Sequence, residues 1–249
     1  MAQVKTEAEI EKISRACRIA AEILGELKSS VKAGITTAEL EEVADRSFKK
    51  KGAVPAFKGY RGYKFATCLS VNDEVVHGLP GSRILKDGDI VGVDVGAIVD
   101  GYYGDNAETF SVGKVSAAAK RLMSATRNAL YKAIAEARDG CHLGDISFAV
   151  ESEAKKNGFS VIKDLYGHGV GETLHEDPLI PNFGKKGTGI MLKAGMTLAI
   201  EPMLNVGGSE IKTLEDGWTI VTADGSLSAH FEHTILVTKG APVILTKRV

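Results

Sequence analysis

One pattern runs through this chain twice. Gly34 and Gly140 stand 106 residues apart, and so do Gly52 and Gly158. Between each pair of glycines, Glu39 matches Asp145 and Leu40 matches Ile146. Further on, Leu85-Lys-Asp-Gly-Asp-Ile-Val-Gly-Val-Asp94 matches Leu192-Lys-Ala-Gly-Met-Thr-Leu-Ala-Ile-Glu201 at an offset of 107. His77-Gly-Leu-Pro80 has a fainter echo in His175-Glu-Asp-Pro178. A solenoid repeats every 20–50 residues or so, which this period far exceeds. The pattern instead predicts two similar helix–helix–strand halves, about 1–112 and 113–249, packed around a pseudo-twofold axis. Apolar spacing predicts helices at about 6–30, from a Thr37 cap to near Gly52, at 115–138 before Gly140, and at 145–158. Short strands are expected at 196–201, 218–222 and 231–237.

The chemistry centres on residues 90–110. Two β-branched runs meet there at Asp100-Gly101, a dipeptide suited to a two-residue type I′ hairpin turn. With that turn, facing residues have numbers adding to 201, so Asp105 faces Gly96 and Asp94 faces Ala107. Side chains alternate along a strand, so Asp94 and Asp105 share a face as diagonal neighbours, with Cβ atoms under about 7–8 Å apart. Two carboxylates so placed repel each other and lose hydration. A cation between them would remove both costs, and Gly96 is expected to leave room for it. Turn chemistry accounts for Asp100 and serves Asp105 and Asn106, but not Asp94 inside an apolar strand.

The repeat aligns Asp94 with Glu201, a second carboxylate embedded in an apolar strand. A buried Glu is uncommon unless paired or metal-bound, and a salt bridge to Lys or Arg would also account for it. Glu232 lies in a β-branched strand, where an exposed face shared with His230 and Thr234 is the plain alternative. His168 sits among glycines in Tyr-Gly-His-Gly-Val-Gly, where polar loop chemistry is the plain alternative. Together with the aspartates these make five candidate ligands, four carboxylates and one imidazole. Such a set suits Mn, Co, Fe or Zn better than Cu(I). Four carboxylates also exceed the charge one dication balances, which predicts two metal ions and a hydrolytic centre.

Composition narrows the class. At 249 residues, 25% charged and 44% hydrophobic, the chain reads as an ordinary globular protein. A net charge of −1 with no basic block argues against phosphate-driven nucleic-acid binding. Cys17, Cys68 and Cys141 fit no zinc spacing, and their odd number argues against a disulfide framework. No apolar stretch approaches transmembrane length. A cytoplasmic monomer is the expectation.

Val-Val-His77-Gly-Leu-Pro, Asp94 with Asp105, Gly-His168-Gly-Val-Gly, Glu201-Pro and Phe-Glu232-His resemble the motif set of type I methionine aminopeptidases. The resemblance covers nearly the whole chain. It implies an α+β pita-bread fold: a curved, mainly antiparallel sheet with helices outside, internal twofold pseudosymmetry and a dinuclear metal site in one catalytic domain spanning 1–249. It implies that Asp94 chelates one ion, His168 and Glu201 the other, and that Asp105 and Glu232 bridge the two. Glu201 would shuttle a proton from a bridging water to the leaving amine. His175 would bond the carbonyl as it becomes an oxyanion, and His77 the peptide nitrogen beyond. A methionine pocket would combine Phe57, Tyr60, Tyr63, Cys68 and Trp218. The substrates implied are nascent chains with a small second residue, met at the ribosome. Prolidases share the fold but usually carry a further N-terminal domain, and non-catalytic relatives lose ligands; here all five are present.

Two departures stand out. Asn106-Ala107-Glu108-Thr109 follows Asp105 where Thr-Ser is common, which is expected to alter the bonds around the ligands. Leu174 replaces a common Phe, which is expected to widen the pocket rim. The chain begins Met1-Ala2, so its own start, expected to be flexible ahead of the first helix, matches the implied substrate.

Overall fold

The fold is described from a computed structural model covering residues 3–248; Met1 and Ala2, and the self-processing they suggest, lie outside the described residues. Reciprocal caps start the first two helices. Thr6 accepts from the Glu9 amide while Glu9 accepts from the Thr6 amide, opening α1 (Glu7–Ser30). Thr36 and Glu39 do the same for α2 (Thr37–Lys51). Thr37 is therefore the first helical residue rather than the cap, and its hydroxyl bonds Gly81 instead. In the second half, α3 spans Ala117–Glu136 and α4 spans Leu143–Asn157. α3 ends short of Gly140, and α4 begins before Asp145, whose carboxylate accepts from the His142 amide. Lys5 is tied down rather than loose. Its ammonium lies 2.6 Å from the Glu176 carboxylate and its amide donates to Gly195 O.

The strands framing the site are β1 (Thr67–Val71), β2 (Ile90–Val99), β3 (Tyr102–Ser111), β4 (Tyr166–Gly169), β5 (Thr197–Ile200), β6 (Ser228–His230) and β7 (His233–Leu236). Every strand pairing among the described residues is antiparallel, in one four-stranded, one five-stranded and two three-stranded groups. β2 and β3 form the expected hairpin, with Asp94 facing Ala107 and Gly96 facing Asp105. Both turn residues take positive φ, 51° at Asp100 and 79° at Gly101, as a type I′ turn requires. β1 pairs along the other edge of β2, placing Cys68 opposite Asp94. In the second half β7, β5 and β4 lie side by side.

Four positions differ from expectation, one of them Glu232, which falls between β6 and β7 rather than in a strand. His168 lies within β4 rather than in a loop, Glu201 falls just past β5, and Trp218 precedes the short strand Ile220–Thr222. The space at Gly96 is also not open. A Cβ there would meet Phe57 Cε1 at 2.7 Å and Ala56 Cβ at 2.8 Å, so the glycine admits the Phe57 ring instead.

The repeat is visible bond by bond. Gly34 N donates to Leu85 O at 2.8 Å, and Gly140 N to Leu192 O at 2.9 Å. Leu85 N returns to Ile35 O, and Leu192 N to Cys141 O, both at 2.8 Å. Gly52 and Gly158 close α2 and α4 in the left-handed conformation. Leu24, Leu40 and Phe48 of the first helices pack on Val91, Val93 and Val95. Leu122, Leu130 and Ile146 of the second pair pack on Leu198, Ile200 and Ile235.

The halves meet where β3 passes residues 230–234. Thr234 Oγ1 accepts from Asp105 N (3.1 Å) and donates to Asp105 O (2.8 Å). In mirror fashion, Thr109 Oγ1 accepts from His230 N (3.0 Å) and donates to His230 O (2.8 Å). Between them Glu232 N donates to Ala107 O at 2.8 Å. Two threonine hydroxyls thus take the place of missing ladder bonds and satisfy buried backbone groups.

Candidate metal centre

A cavity of about 410 Å³ opens between the halves, and all the residues expected to form the site line it. β2 and β3 supply Asp94 and Asp105, β4 supplies His168, and Glu201 and Glu232 come from chain just beyond β5 and β6. Ligand atoms of Asp105, His168 and Glu232 lie within 4.8 Å of one another. Glu201 Oε1 is 3.5 Å from His168 Nε2, and its Oε2 is 3.4 Å from His230 Nε2. Among the described residues, the ion-pair partners of Glu201 are these two histidines, not a lysine or arginine. Glu232, His230 and Thr234 are buried, so the exposed-face alternative fails.

The electrostatics are those of an anion cluster lacking its counter-charge. Burial first, then the charges of Asp105 and Glu201, push the Asp94 carboxyl well above its ordinary range. Burial, then Asp105, does the same to Glu232. Burial raises Asp105 and Glu201 to about 7, with the Glu201 charge adding to the Asp105 shift. Asp94 Oδ1, Glu232 Oε1 and His230 Nε2 are buried without a hydrogen-bond partner, an uncommon state for buried polar atoms. Unpartnered carboxylate oxygens beside an imidazole are what hard-to-borderline divalent ions use as donors. The residues fit such ions.

Around the cluster the cavity changes character. His175 Nδ1 lies 2.8 Å from the Tyr60 hydroxyl, and its ring centre is 4.3 Å from that of His168. The His77 ring meets Trp218 edge-on at 6.5 Å. Lost hydration, then neighbouring histidines, lowers His77 to about 4 and His175 to about 3. Both rings are therefore neutral near pH 7, each with one N–H to donate. On the apolar side, Phe57, Tyr63, Cys68 and Leu174 form one buried cluster with Tyr60 and Trp218 against it. Tyr63 donates its hydroxyl to Thr67 O at 2.9 Å, which fixes its ring against Trp218, 5.0 Å away. Burial raises the Cys68 thiol, which stays protonated and apolar. Leu174 is part of this wall. Sequence reasoning missed His230, Arg61 and the apolar lining of Leu165, Leu179 and Met203. Only His230 had a signal, its place beside Glu232 in a strand.

The fold and the carboxylate-lined cavity are those of a pita-bread metallohydrolase, and comparison with known proteins agrees. Residues 11–239 match the model of metallopeptidase family M24. Methionine aminopeptidase 1 of Bacillus subtilis is 50% identical over 243 residues, 98% of each chain. The methionine aminopeptidase of Escherichia coli K12 is 43% identical over 247 residues, 98% of this chain and 94% of that one. The crystal structure of methionine aminopeptidase from Thermotoga maritima superposes with a TM-score of 0.98 at 51% identity, over 100% of both chains. Prolidase from Pyrococcus furiosus shares the fold at a TM-score of 0.81 and 24% identity, over 99% of this chain and 66% of that one. The chain belongs to metallopeptidase family M24.

Proposed function

We propose that this protein removes the N-terminal methionine from peptides and nascent proteins with a small second residue, using two divalent metal ions. The observation that carries this reading is the pairing of an unpartnered carboxylate cluster with an adjoining aromatic–thiol pocket. Asp94 would hold one ion, His168 and Glu201 the other, and Asp105 and Glu232 both. Two ions so held would supply Lewis acidity and would acidify a water molecule. The Tyr60 hydroxyl donates to His175 Nδ1, leaving Nε2–H to donate to the scissile carbonyl oxygen as charge develops there. His77, beside Trp218, faces the substrate further out and orients its peptide nitrogen. Glu201 accepts the proton released at the site and hands it to the leaving amine. Phe57, Tyr60, Tyr63, Cys68 and Trp218 receive the methionine side chain, whose thioether suits aromatic and thiol contacts. Tyr60, His175 and His77 line the same cavity beside the acids, which supports a preference for a small second residue.

The site draws ligands from both halves, which supports one catalytic domain spanning 1–249. Mn, Co, Fe and Zn all suit the donors. Among the described residues no helix is long and apolar enough to cross a membrane. Action on chains at the ribosome, as a cytoplasmic monomer, completes the reading. The test is to strip the protein of metal, add back single metals, and assay Met-Ala-Ser, Met-Leu-Ser and a Xaa-Pro peptide. Metal-restored cleavage of Met-Ala-Ser well above Met-Leu-Ser is expected. Cleavage of the Xaa-Pro peptide alone would overturn the reading.

A further inference from the structure

Strand register relates the halves more closely than their sequences do. β2 corresponds to β5 at an offset of 107; facing residues add to 201 in the β2–β3 hairpin and to 433 between β5 and β7. Combining these maps β3 onto the second half at an offset of 125, so Thr109 corresponds to Thr234, Ala107 to Glu232 and Asp105 to His230. The seam obeys the same relation, since Thr234 bonds the backbone of Asp105 while Thr109 bonds that of His230. His230 therefore stands where its own half would carry the counterpart of a proposed bridging carboxylate. Its Nε2 is buried, has no hydrogen-bond partner, and lies 3.4 Å from Glu201 Oε2. The other oxygen of Glu201 faces His168 Nε2.

We propose that His230 is a positioning residue for Glu201: its unpartnered Nε2, 3.4 Å from Oε2, is the donor available to that oxygen and closes on it in the working enzyme, so that the carboxylate presents Oε1 to the side it shares with His168. The inference rests on the aminopeptidase reading above. Backbone bonds from Thr109 to both N and O of His230 fix the ring's origin, so the imidazole acts as a rigid arm rather than a mobile one. A hydrogen bond to a charged acceptor supports an effect of about 10- to 100-fold in rate.

The test compares His230→Leu, which removes the donor at similar bulk, with His230→Gln, which keeps an N–H. Manganese-loaded His230→Leu should hold as much metal as wild type by elemental analysis. It should cleave Met-Ala-Ser with kcat lowered about 10- to 100-fold at unchanged KM, and His230→Gln should recover most of that loss. Nitrogen-15 spectra of the zinc-loaded wild type should show His230 as the Nε2–H tautomer. Unchanged kcat in His230→Leu, equal loss in both variants, or an Nδ1–H tautomer would each overturn the proposal. Loss of metal from His230→Leu would overturn it in favour of ligation. Should His230→Leu fail to fold, the wild-type tautomer and the His230→Gln kinetics still decide. A wild type inactive on Met-Ala-Ser with every metal would refute the parent reading, while the tautomer still tests His230 on its own.

Discussion

The halves bring their acids to the cavity by different means. In the first, Asp94 and Asp105 sit on one unbroken hairpin whose ten facing pairs follow from its turn. In the second, Glu201 and Glu232 lie at the ends of short strands, and His168 stands on a third strand paired to β5 through Ala199. One set is positioned by local register, the other by contacts between distant residues, with Thr109 and Thr234 joining the two. The turn decides which hairpin residues face each other, while the seam decides where the hairpin sits against the second half. A register set across the seam is only as firm as the seam.

The strongest test of this contrast is removal of one acid from each side. Asp105→Ala and Glu232→Ala should each release metal, measured by elemental analysis, and abolish turnover of Met-Ala-Ser, since each is proposed to touch both ions. Full metal and full activity in Asp105→Ala would break the two-ion assignment.

Next in size is His175→Ala, which takes a proposed oxyanion partner and no ligand. Metal should stay bound while kcat falls by about 10²–10³. A normal kcat with a raised KM would move His175 to ground-state binding.

A smaller effect lies in the metal-free protein. Burial raises Asp105 from 3.8 to about 7. A carboxyl raised in the folded state binds more protons there than in the unfolded chain, so its contribution to stability falls as pH climbs from about 4 to about 7. His77, His175 and His230 are lowered to about 3–4 and act oppositely, adding stability as pH rises toward about 6.5. Comparison with Asp105→Asn cancels His77 and His175, while His230, Asp94 and Glu232, which the Asp105 charge shifts, enter the difference with it. Without metal, this variant should match wild type near pH 4 and exceed it at pH 8, by on the order of 4 kcal/mol in urea denaturation. Equal stability at pH 8 would mean that the cluster carries no such strain.

The same contrast explains what could be read from the chain beforehand. Asp94 and Asp105 were legible because Asp100-Gly101 dictates register over a short distance. Glu201 was legible through its repeat. The strand at His168 and the burial of His230 were not, because pairing with Ala199 and bonding to Thr109 join residues far apart in sequence. Gly96 was misread for a related reason, since the Phe57 ring that fills its space arrives from another segment.

The finest test sets the two kinds of register against each other. Thr234→Val keeps shape but strips the hydroxyl that serves both Asp105 N and Asp105 O. Leaving buried backbone groups unpaired costs about 1–3 kcal/mol. Because Asp105 is a proposed bridging ligand, metal affinity should fall as well. Gly101→Ala places a side chain at φ 79°, with nothing within 4 Å to obstruct it. The left-handed conformation alone should cost about 1–2 kcal/mol. Its metal affinity should not change, because β1 and the seam hold β2 and β3 from either side even if the turn is strained. Urea midpoints and metal titrations on both variants decide the matter. A Gly101→Ala protein that loses metal, or a Thr234→Val protein that keeps it, would show that the turn rather than the seam aligns the ligands.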